Sequence, residues 1–540
     1  MPSEWKTDKE KAEALNNSRP FDVHRWSDFQ EVNDAVDRLH EMLNGLEDFK
    51  GKKAATKRNV KTVVLDLYVA WLVDPTKYIS YPRSKSSYKQ GRYNELHISF
   101  ASVPIIDALE ELGFVENWLG FFSEHGRSRL SRMRATTKLI NLVKDDFKVT
   151  LDMVSYHEDR ECIILREKDE DGRKIDIDYN DTNYTIHARV GLKKYNEILK
   201  ETSILCEGYP ESGTVCSGGS EVPIDPTDKF VRRIFNNKSW AQGGRFFGGW
   251  WQRIPKKWRK RITINGEPVR EPDYSGHHIT MLYTLEGIDY WTEIDRDPYK
   301  LEGVEHSPRM RGLLKELLLI ALNANTKQTA IKALNKKITD NVAAWRDTGP
   351  SSGRDFRWVR QEGVDLNNLY DALLNKHKPI AHNIGTGVGL KLQNYDAEIA
   401  EVILSTCTEQ GIPILCIHDG FVVPEYAWEF IEKLMELAYT QIMGNLSKGK
   451  IKPTAKVSGT RLEYNAEQIS KDISEMLDSV AQSLGFTNGS KLSKGEIVDP
   501  KKLKAFQEAV DARLQSGGNS SVDIKRIVKL PSESADGEEY

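Results

Sequence analysis

With 540 residues, 39% of them hydrophobic and 29% charged, the chain is longer than one hydrophobic core supports, and about three domains are expected. Its 77 Lys and Arg side chains nearly balance 80 Asp and Glu, which excludes a wholly basic, histone-like protein and confines any nucleic-acid-binding surface to a local patch. No run of about 18 apolar residues is present, so no membrane span is predicted, and residues 1–19 lack the apolar segment of a secretory signal. The five cysteines show no zinc-ligand spacing, which favours reduced thiols and a cytoplasmic location.

The first predicted domain spans residues 1–58 and is polar and charged, with a helix near Val32–Leu46 and a basic loop at 51–58. We interpret it as an accessory helical segment. The next predicted domain, residues 59–160, opens with a helix over Lys61–Leu72 and a short strand at Tyr78–Pro82.

A second helix of that domain is amphipathic, covers Ala101–Leu112 and is followed by a long-looped hairpin. The loop and return strand of the hairpin carry four arginines: Arg127, Arg129, Arg132 and Arg134. A helix followed by such a hairpin resembles a winged helix, in which a helix enters the major groove and the hairpin contacts phosphate. The alternative is a basic hairpin on an ordinary small α/β domain.

The third predicted domain, residues 161–230, begins with alternating apolar and polar residues on both sides of Asp171-Gly172, which is typical of a β-hairpin. A helix is predicted over His187–Lys200. Gly208–Pro226 is rich in Gly, Ser, Pro and Glu, so it is the predicted linker and the main domain boundary.

Residues 243–261 combine arginines and lysines, among them Arg245 and Arg253, with Trp250, Trp251 and Trp258. Positive charge neutralises phosphate and aromatic rings stack on bases, so this density of both types favours nucleic-acid contact. The alternative is a solvated basic loop anchored by buried tryptophans.

The segment Arg270–Gly287 reads R-E-P-D-Y-S-G-H-H-I-T-M-L-Y-T-L-E-G. The segment is predicted to begin with a short extended stretch that ends at Asp273. The next three residues form a turn, and a helix with an apolar face begins near Ile279. An acid at the end of a strand suits a hard divalent cation. As an isolated feature, an Asp before a helix is more often an N-cap.

Pro308–Ala324 is predicted to be a helix in which Arg311 and Lys315 share one face with Leu319 and Asn323. Two positively charged side chains on a helix face that carries no acidic residue suit a polyphosphate ligand. The alternative is an ordinary amphipathic helix with a basic outer edge.

Two further stretches follow. Ile384–Gly389 is glycine-rich without the spacing of a P-loop, so it is interpreted as a turn. Ile412–Pro424 is predicted to form two apolar strands joined at His418-Asp419-Gly420, with Asp419 at the tip.

The order of these motifs resembles the palm and fingers of family A DNA polymerases, a core shared with single-subunit phage-type RNA polymerases. From Gly243 to Pro424 the motifs G-R…Q-x-I-P, D-Y-S, R-x-x-x-K, Q-N-Y-D-A and H-D follow one another in the family's order. The resemblance implies a right-hand palm and fingers over 231–465, so the expected fold is α+β and multidomain, with an α/β N-terminal region that contains the winged-helix-like hairpin. That N-terminal region suggests an origin- or template-binding domain, as in a divergent replication protein of a mobile element.

The resemblance implies a role for each matching residue. Asp273 and Asp419, with the carbonyl of Tyr274, would hold two Mg²⁺ ions, or Mn²⁺ in their place. Arg311 and Lys315 would bind the triphosphate, and Lys315 would also protonate the leaving pyrophosphate. The expected primer–template contacts are Arg245, Gln252, Gln393 and His418, together with Arg253 of the same basic stretch.

Three positions depart from the family. His278 stands where family A DNA polymerases usually carry a Glu, and Leu319 and Asn323 replace the aromatic residues of the nucleotide-binding helix. These three residues are the candidates for contact with the nucleotide sugar, and the choice between dNTP and NTP stays open. No segment resembles a proofreading exonuclease.

The expected function is template-directed nucleotidyl transfer, with a DNA polymerase favoured, using a DNA template and primer and nucleoside triphosphates. One alternative is an RNA-synthesising primase or RNA polymerase with the same core. Another is a DNA-binding replication initiator with an inactive palm. A metal phosphohydrolase built on His277, His278, His418 and Asp419 ranks last.

The end of the chain is predicted to be helical and then acidic. A helix is expected over Ala427–Leu446, followed by a basic loop and strand at 447–458. The last predicted domain, residues 466–540, contains two helices, at 466–484 and 501–514. Its acidic end, 532–540, is expected to be disordered.

Overall fold

The computed structural model of the protein describes residues 7–47, 49, 54–123, 128–208, 214–217, 220–294, 296–340 and 356–457. The predictions for Arg127, for residues 51–53 of the basic loop and for the whole of 466–540 lie outside the described residues, while residues 54–58, predicted as loop, form the start of a helix. Helix and strand make up about 49% and 18% of the described residues, which agrees with the predicted α+β, multidomain class. Among the described residues, every helix is too short or too polar to cross a bilayer.

The helices are named here in chain order. Those of the N-terminal half are α1 Asp8–Asn16, α2 Gln30–Asn44, α3 Ala54–Val73, α4 Ser102–Glu111, α5 Thr137–Ile140 and α6 Asn183–Glu201. Those that follow are α7 Lys256–Arg259, α8 His277–Glu286, α9 Pro308–Asn323, α10 Lys327–Asp340, α11 Arg357–Gln361, α12 Leu366–Lys376, α13 Gly389–Glu409 and α14 Trp428–Leu446.

The strands are named in the same way. The first nine are β1 Ser18–Pro20, β2 Arg25–Trp26, β3 Tyr78–Tyr81, β4 Val115–Trp118, β5 Ser131–Ala135, β6 Ser155–Tyr156, β7 Ile163–Lys168, β8 Lys174–Ile177 and β9 Ile204–Cys206. The others are β10 Thr214–Ser217, β11 Ser220–Pro223, β12 Val231–Asn236, β13 Ser239–Gly248, β14 Ile262–Ile264, β15 Glu267–Arg270, β16 Leu415–Ile417 and β17 Gly420–Pro424.

The chain forms two compact units, and each is discontinuous in sequence. The first contains residues 1–161, 209–215 and 223–230, and the second contains 162–208, 216–222 and 231–540. The chain therefore leaves the first unit after Glu161, ahead of the linker predicted at Gly208–Pro226. The reason is strand pairing: β7 of the predicted hairpin lies parallel to β12, so the hairpin shares a sheet with residues that follow the linker.

The first unit is a four-stranded sheet covered by helices. Its strand order is β1-β3-β5-β4, with β1 and β3 parallel and the other pairs antiparallel. The three predicted helices and the β4–β5 hairpin are confirmed. Apolar residues of α2 recur every three or four positions and are buried, so that face joins α3, α4 and the sheet in one core, which includes Val36, Leu39, Val64, Leu67, Ile106 and Met133.

A buried ionic cluster lies inside the first unit. The Asp66 carboxylate has no exposed surface and accepts hydrogen bonds from Arg19 at 2.6 and 2.9 Å. Arg25 forms an ion pair with Asp225, which belongs to the returning segment 223–230. The charges of Arg25, Asp22 and Asp66 act on one another as well. Two arginines therefore tie the returning segment and α3 to the N-terminal strands.

The second unit contains two sheets. One has the order β13-β12-β7-β8, and the other is antiparallel with the order β16-β17-β15-β14-β9. Helix α13 buries residues along most of its length and packs on α6, α9, β13 and α14, while α14 also packs on α8. Helix α9 begins at Pro308 because Ser307 caps it by accepting from the Met310 amide. The two strands predicted at Ile412–Pro424 are confirmed as β16 and β17.

Candidate active site

Asp273 and Asp419 lie beside each other where β15 and β17 run together. Pairing of Arg270 with Val423 continues past the end of β15, where the Phe421 amide donates to the Pro272 carbonyl at 3.0 Å. Asp273 consequently stands opposite Gly420, the residue after Asp419. This opposition is a non-hydrogen-bonded pair, the closer of the two antiparallel arrangements.

Gly420 makes this approach feasible. A Cβ atom on Gly420 would lie 3.1 Å from the Pro272 carbonyl oxygen and 3.3 Å from Oδ1 of Asp273. Both distances are tighter than ordinary contact, so the missing side chain leaves the space that the Asp273 carboxylate uses. A side chain at position 420 would therefore crowd the Asp273 carboxylate.

The carboxylate of Asp273 is in a repulsive environment. Its own burial and the negative charge of Asp419 raise the pKa of Asp273 to about 6. Asp273 does not cap α8: the N-cap is Gly276, in a left-handed conformation and without a side-chain hydrogen bond. The N-cap alternative for Asp273 is wrong, because the turn at Tyr274–Gly276 separates the acid from the helix.

The donors here fit a hard divalent cation. Among the described residues there is no group of three or more His, Cys, Asp or Glu side chains arranged to hold a metal. Two carboxylates and a backbone carbonyl suit Mg²⁺, which keeps several waters and shares its shell with substrate phosphates. A cation at this place would relieve the repulsion that raises the pKa of Asp273.

A buried charged cluster adjoins the two carboxylates. Asp396 of α13 accepts a hydrogen bond from Nε of Arg245 at 2.5 Å, and its other oxygen lies 3.5 Å from Nε2 of His277. Nη2 of Arg245 lies 3.2 Å from Nε2 of His278. Burial opposes ionisation of Asp396, but the charge of Arg245 and the neighbouring His277 ring outweigh it and hold the pKa of Asp396 well below its usual range.

His278 is neutral at physiological pH. Burial, and then the charge of Arg245, lower the pKa of His278 to about 4. A guanidinium only donates, so Nε2 of His278 accepts from Arg245 and the ring proton is on Nδ1. Position 278 therefore holds an uncharged ring, whereas family A DNA polymerases usually carry a Glu at the position that it resembles.

His277 belongs to the same layer. Its ring stacks on Tyr274 at 4.3 Å between centroids, and the Tyr274 hydroxyl donates to the Met435 carbonyl of α14 at 2.6 Å. The metal phosphohydrolase alternative would use both rings as metal ligands, whereas Nε2 of His278 already accepts from Arg245.

The predicted triphosphate-binding face of α9 is open to solvent. Lys315, Leu319 and Asn323 are all exposed, and Asn323 donates to the Leu319 carbonyl at 2.8 Å. Arg311 is half-buried and its Nε donates to Asp297 at 2.7 Å. The acid that is missing from the helix stripe is supplied by the preceding loop.

Tyr299 links this face to the carboxylates. The Arg311 guanidinium and the Lys315 ammonium lie 5.0 and 5.5 Å from its ring centroid. Burial raises the pKa of Tyr299 to about 12, and the charge of Asp419 is among the groups that act on it. Arg311 and Lys315 therefore both lie beside Tyr299, a residue that was not predicted from the sequence.

The aromatic residues of the basic stretch face inwards. Trp250 and Trp251 are fully buried, and Nε1 of Trp251 donates to the Cys416 carbonyl at 3.2 Å. The prediction that they offer stacking surfaces is wrong for these two, and the alternative of a basic loop anchored by buried tryptophans describes them. Trp258 is half-buried, with the Arg261 guanidinium 4.9 Å from its ring centroid, and Arg253 is exposed.

The remaining residues that were predicted to contact nucleic acid are Gln252, His418 and Gln393, and each has a different environment. The Gln252 amide nitrogen donates to the Cys416 carbonyl at 2.8 Å, so Gln252 braces the β16–β17 hairpin. His418 takes a positive φ of 57° at the hairpin tip, and burial lowers its pKa. Gln393 is half-buried on α13, beside Asn394, which donates to the Gly243 carbonyl at 3.1 Å.

Asp396 is the residue that sequence reasoning left without a role. It occurs in the Q-N-Y-D-A motif, and it lies on the same helical stripe as Leu392, Ile399 and Ile403, all of them buried. A carboxylate on an apolar stripe signals a buried charge that needs a partner. That signal was present, although the identity of the partner was not.

Comparison with known proteins adds no relative. No protein-family model matches the sequence. No curated protein matches it either.

Proposed function

We propose that this protein is a template-directed nucleotidyltransferase, with a DNA polymerase favoured, that extends a 3′-hydroxyl with nucleoside triphosphates on a DNA template. The observation that carries the proposal is the juxtaposition of Asp273 and Asp419, where burial and the repulsion between the two acids raise the pKa of Asp273 to about 6. Two acids held together against their charge are a recurrent feature of sites that bind divalent cations for phosphoryl transfer.

Asp273 and Asp419 would hold the cations, with the Tyr274 carbonyl as a further ligand. When bound, two Mg²⁺ ions supply the charge that activates a 3′-hydroxyl and stabilises the leaving pyrophosphate. The raised pKa of Asp273 means that the free site takes up a proton near pH 6. Cation binding must displace that proton, so activity would fall as the pH is lowered through this range.

Arg311 and Lys315 would bind the triphosphate. A guanidinium engages two phosphate oxygens at once, and Asp297 together with the Tyr299 ring holds Arg311 in place before the nucleotide arrives. The ammonium of Lys315 is exposed on the same stripe, where it can neutralise the transferring phosphoryl group and give a proton to the pyrophosphate.

The buried cluster of Arg245, Asp396 and His278 would form the base of the nucleotide-binding site. His278 is neutral and carries no carboxylate. An acidic side chain that could exclude ribonucleotides is therefore missing at this position. An RNA-synthesising polymerase or primase is therefore the second candidate.

Primer extension tests the proposal. The full chain would be given Mg²⁺ and a primed DNA template with dNTPs or NTPs in separate reactions. We expect extension by the wild type and by Asp371→Asn, a control that changes an exposed acid of the same unit, and none by Asp419→Asn. If no wild-type extension occurs with either nucleotide, on primed or unprimed template, the proposal fails. If DNA is still bound in that case, the replication-initiator alternative is favoured.

A further inference from the structure

The β4–β5 hairpin carries an unusual share of the exposed apolar side chains. Seven large hydrophobic residues are exposed in the described part of the chain, and four of them lie on this hairpin. Their exposed fractions are 64% for Leu119, 54% for Phe121, 81% for Phe122 and 51% for Leu130. Two adjacent phenylalanines in water oppose the hydrophobic effect, so their exposure calls for a binding partner.

The backbone of the hairpin fixes these side chains. Phe121 and Arg129 exchange both backbone hydrogen bonds at 2.9 Å. Beyond them, the Ser128 hydroxyl accepts from the Ser123 amide at 3.0 Å. At Gly120 the strands approach so closely that a Cβ would lie 2.1 Å from the Arg129 carbonyl oxygen. The phenylalanines are therefore presented by a paired ribbon.

The arginines of the hairpin are largely turned back into the unit. Nε of Arg132 donates to the Leu15 carbonyl at 3.0 Å. Arg134 donates to Glu116 at 2.7 Å, and its guanidinium lies 4.8 Å from the Tyr78 ring centroid. The predicted row of phosphate-binding arginines is thus partly occupied by internal contacts. Arg129 differs, because its guanidinium lies 5.3 Å from the Phe121 ring centroid, at the apolar surface itself.

We propose that the hairpin end, defined as Leu119, Phe121, Phe122, Arg129 and Leu130, is a stacking surface for unpaired bases of single-stranded nucleic acid. Aromatic rings with an adjacent guanidinium are the combination that binds bases and phosphates without sequence preference. Charge complementarity favours a nucleic acid over an apolar protein surface: the described residues of 115–135 contain three arginines against one glutamate, Glu116, which is paired with Arg134. This site lies in the first unit and is independent of the proposed transfer reaction.

The test uses the full chain without nucleotides and with EDTA in place of Mg²⁺, so no step of catalysis enters. The probe is a single strand of about 12 nucleotides containing 2-aminopurine, whose fluorescence falls when the base stacks on an aromatic ring. A duplex of the same sequence is titrated in parallel. We expect Phe122→Ala to weaken single-strand binding about tenfold and to abolish the quenching, while duplex binding is unchanged. Phe122→Trp should restore both readouts.

Phe29→Ala is the matched control, because Phe29 is an exposed phenylalanine of the same unit, 49% exposed, away from the hairpin. It should bind the single strand like the wild type, and all variants should unfold at the same temperature because the changed side chains are exposed. Equal single-strand affinity for Phe122→Ala and the wild type would overturn the proposal. So would a wild-type dimer that Phe122→Ala converts to a monomer without changing DNA affinity, since the surface would then bind a second copy. Neither result bears on primer extension, which is measured separately.

Discussion

Replacing Asp273 by Asn is expected to stabilise the protein while it abolishes nucleotidyl transfer. The pKa of Asp273 in the folded protein is about 6, against an ordinary value of 3.8. An acid with a raised folded-state pKa destabilises the fold where it is ionised, that is, above pH 6, and the effect disappears as the pH falls towards the unfolded-state value. A shift of this size corresponds to about 3 kcal/mol at pH 8 and to about 1.5 kcal/mol at pH 5. Asn keeps the shape and removes the charge.

The assay is urea unfolding of the wild type and Asp273→Asn at pH 8 and pH 5, in EDTA. We expect the free energy of unfolding of the variant to exceed that of the wild type at pH 8, by up to about 3 kcal/mol, and by roughly half as much at pH 5. Adding Mg²⁺ should stabilise the wild type more than the variant, because only the wild type retains both carboxylates.

The pH dependence is the decisive part of this experiment. A variant that is destabilised by the same amount at both pH values would refute the reasoning, because Asp273 would then act by hydrogen bonding and not through charge repulsion. Gain of stability with loss of activity is the result expected of a residue retained for function.

Four further substitutions test other parts of the site. Gly420→Ala should lower stability by about 1–3 kcal/mol and reduce primer extension, because the new methyl presses on the Asp273 carboxylate; unfolding and extension both equal to wild type would contradict the close approach. Asp396→Ala leaves Arg245 buried without its carboxylate and should cost about 3–5 kcal/mol in urea unfolding, whereas a loss below about 1 kcal/mol would mean that the ion pair is not buried in solution. Lys315→Ala should lower the single-turnover rate constant of nucleotide addition about a hundredfold with stability unchanged, as the side chain is exposed; an unaltered rate would remove Lys315 from the mechanism. His278→Glu should raise the ratio of dNTP to NTP incorporation if the side chain faces the sugar, and an unchanged ratio would count against that location.

The local elements were predictable from the sequence. Two apolar segments joined at His418-Asp419-Gly420 predict a hairpin, whereas the proximity of Asp273 to that hairpin was expected only from the resemblance. Such patterns depend on residues that are neighbours along the chain. The helix that carries Arg311 and Lys315 was predictable for the same reason.

The orientation of side chains and the distant partners were not predictable. A dense mixture of arginine, lysine and tryptophan has the same sequence whether Trp250 and Trp251 point outwards or into the core, and both are buried. The pair of Arg245 and Asp396 joins residues 151 positions apart. No periodicity relates such positions, because their contact depends on the packing of α13 against β13.

The ionic cluster around Arg25 has a consequence for dissecting this protein by truncation. A fragment that ends at Glu161 looks like a complete N-terminal module, yet it lacks Asp225, one of three carboxylates that pair with the Arg25 guanidinium. Such a fragment would keep Asp22 and Asp66 beside Arg25 but lose the ion pair that the returning segment contributes, so we expect it to be less stable than the intact unit. A deletion within 223–230 would carry the same defect. Loss of nucleic-acid binding in either case would report unfolding, so the functions of the two units are better separated by point substitutions at the hairpin end and at Asp419.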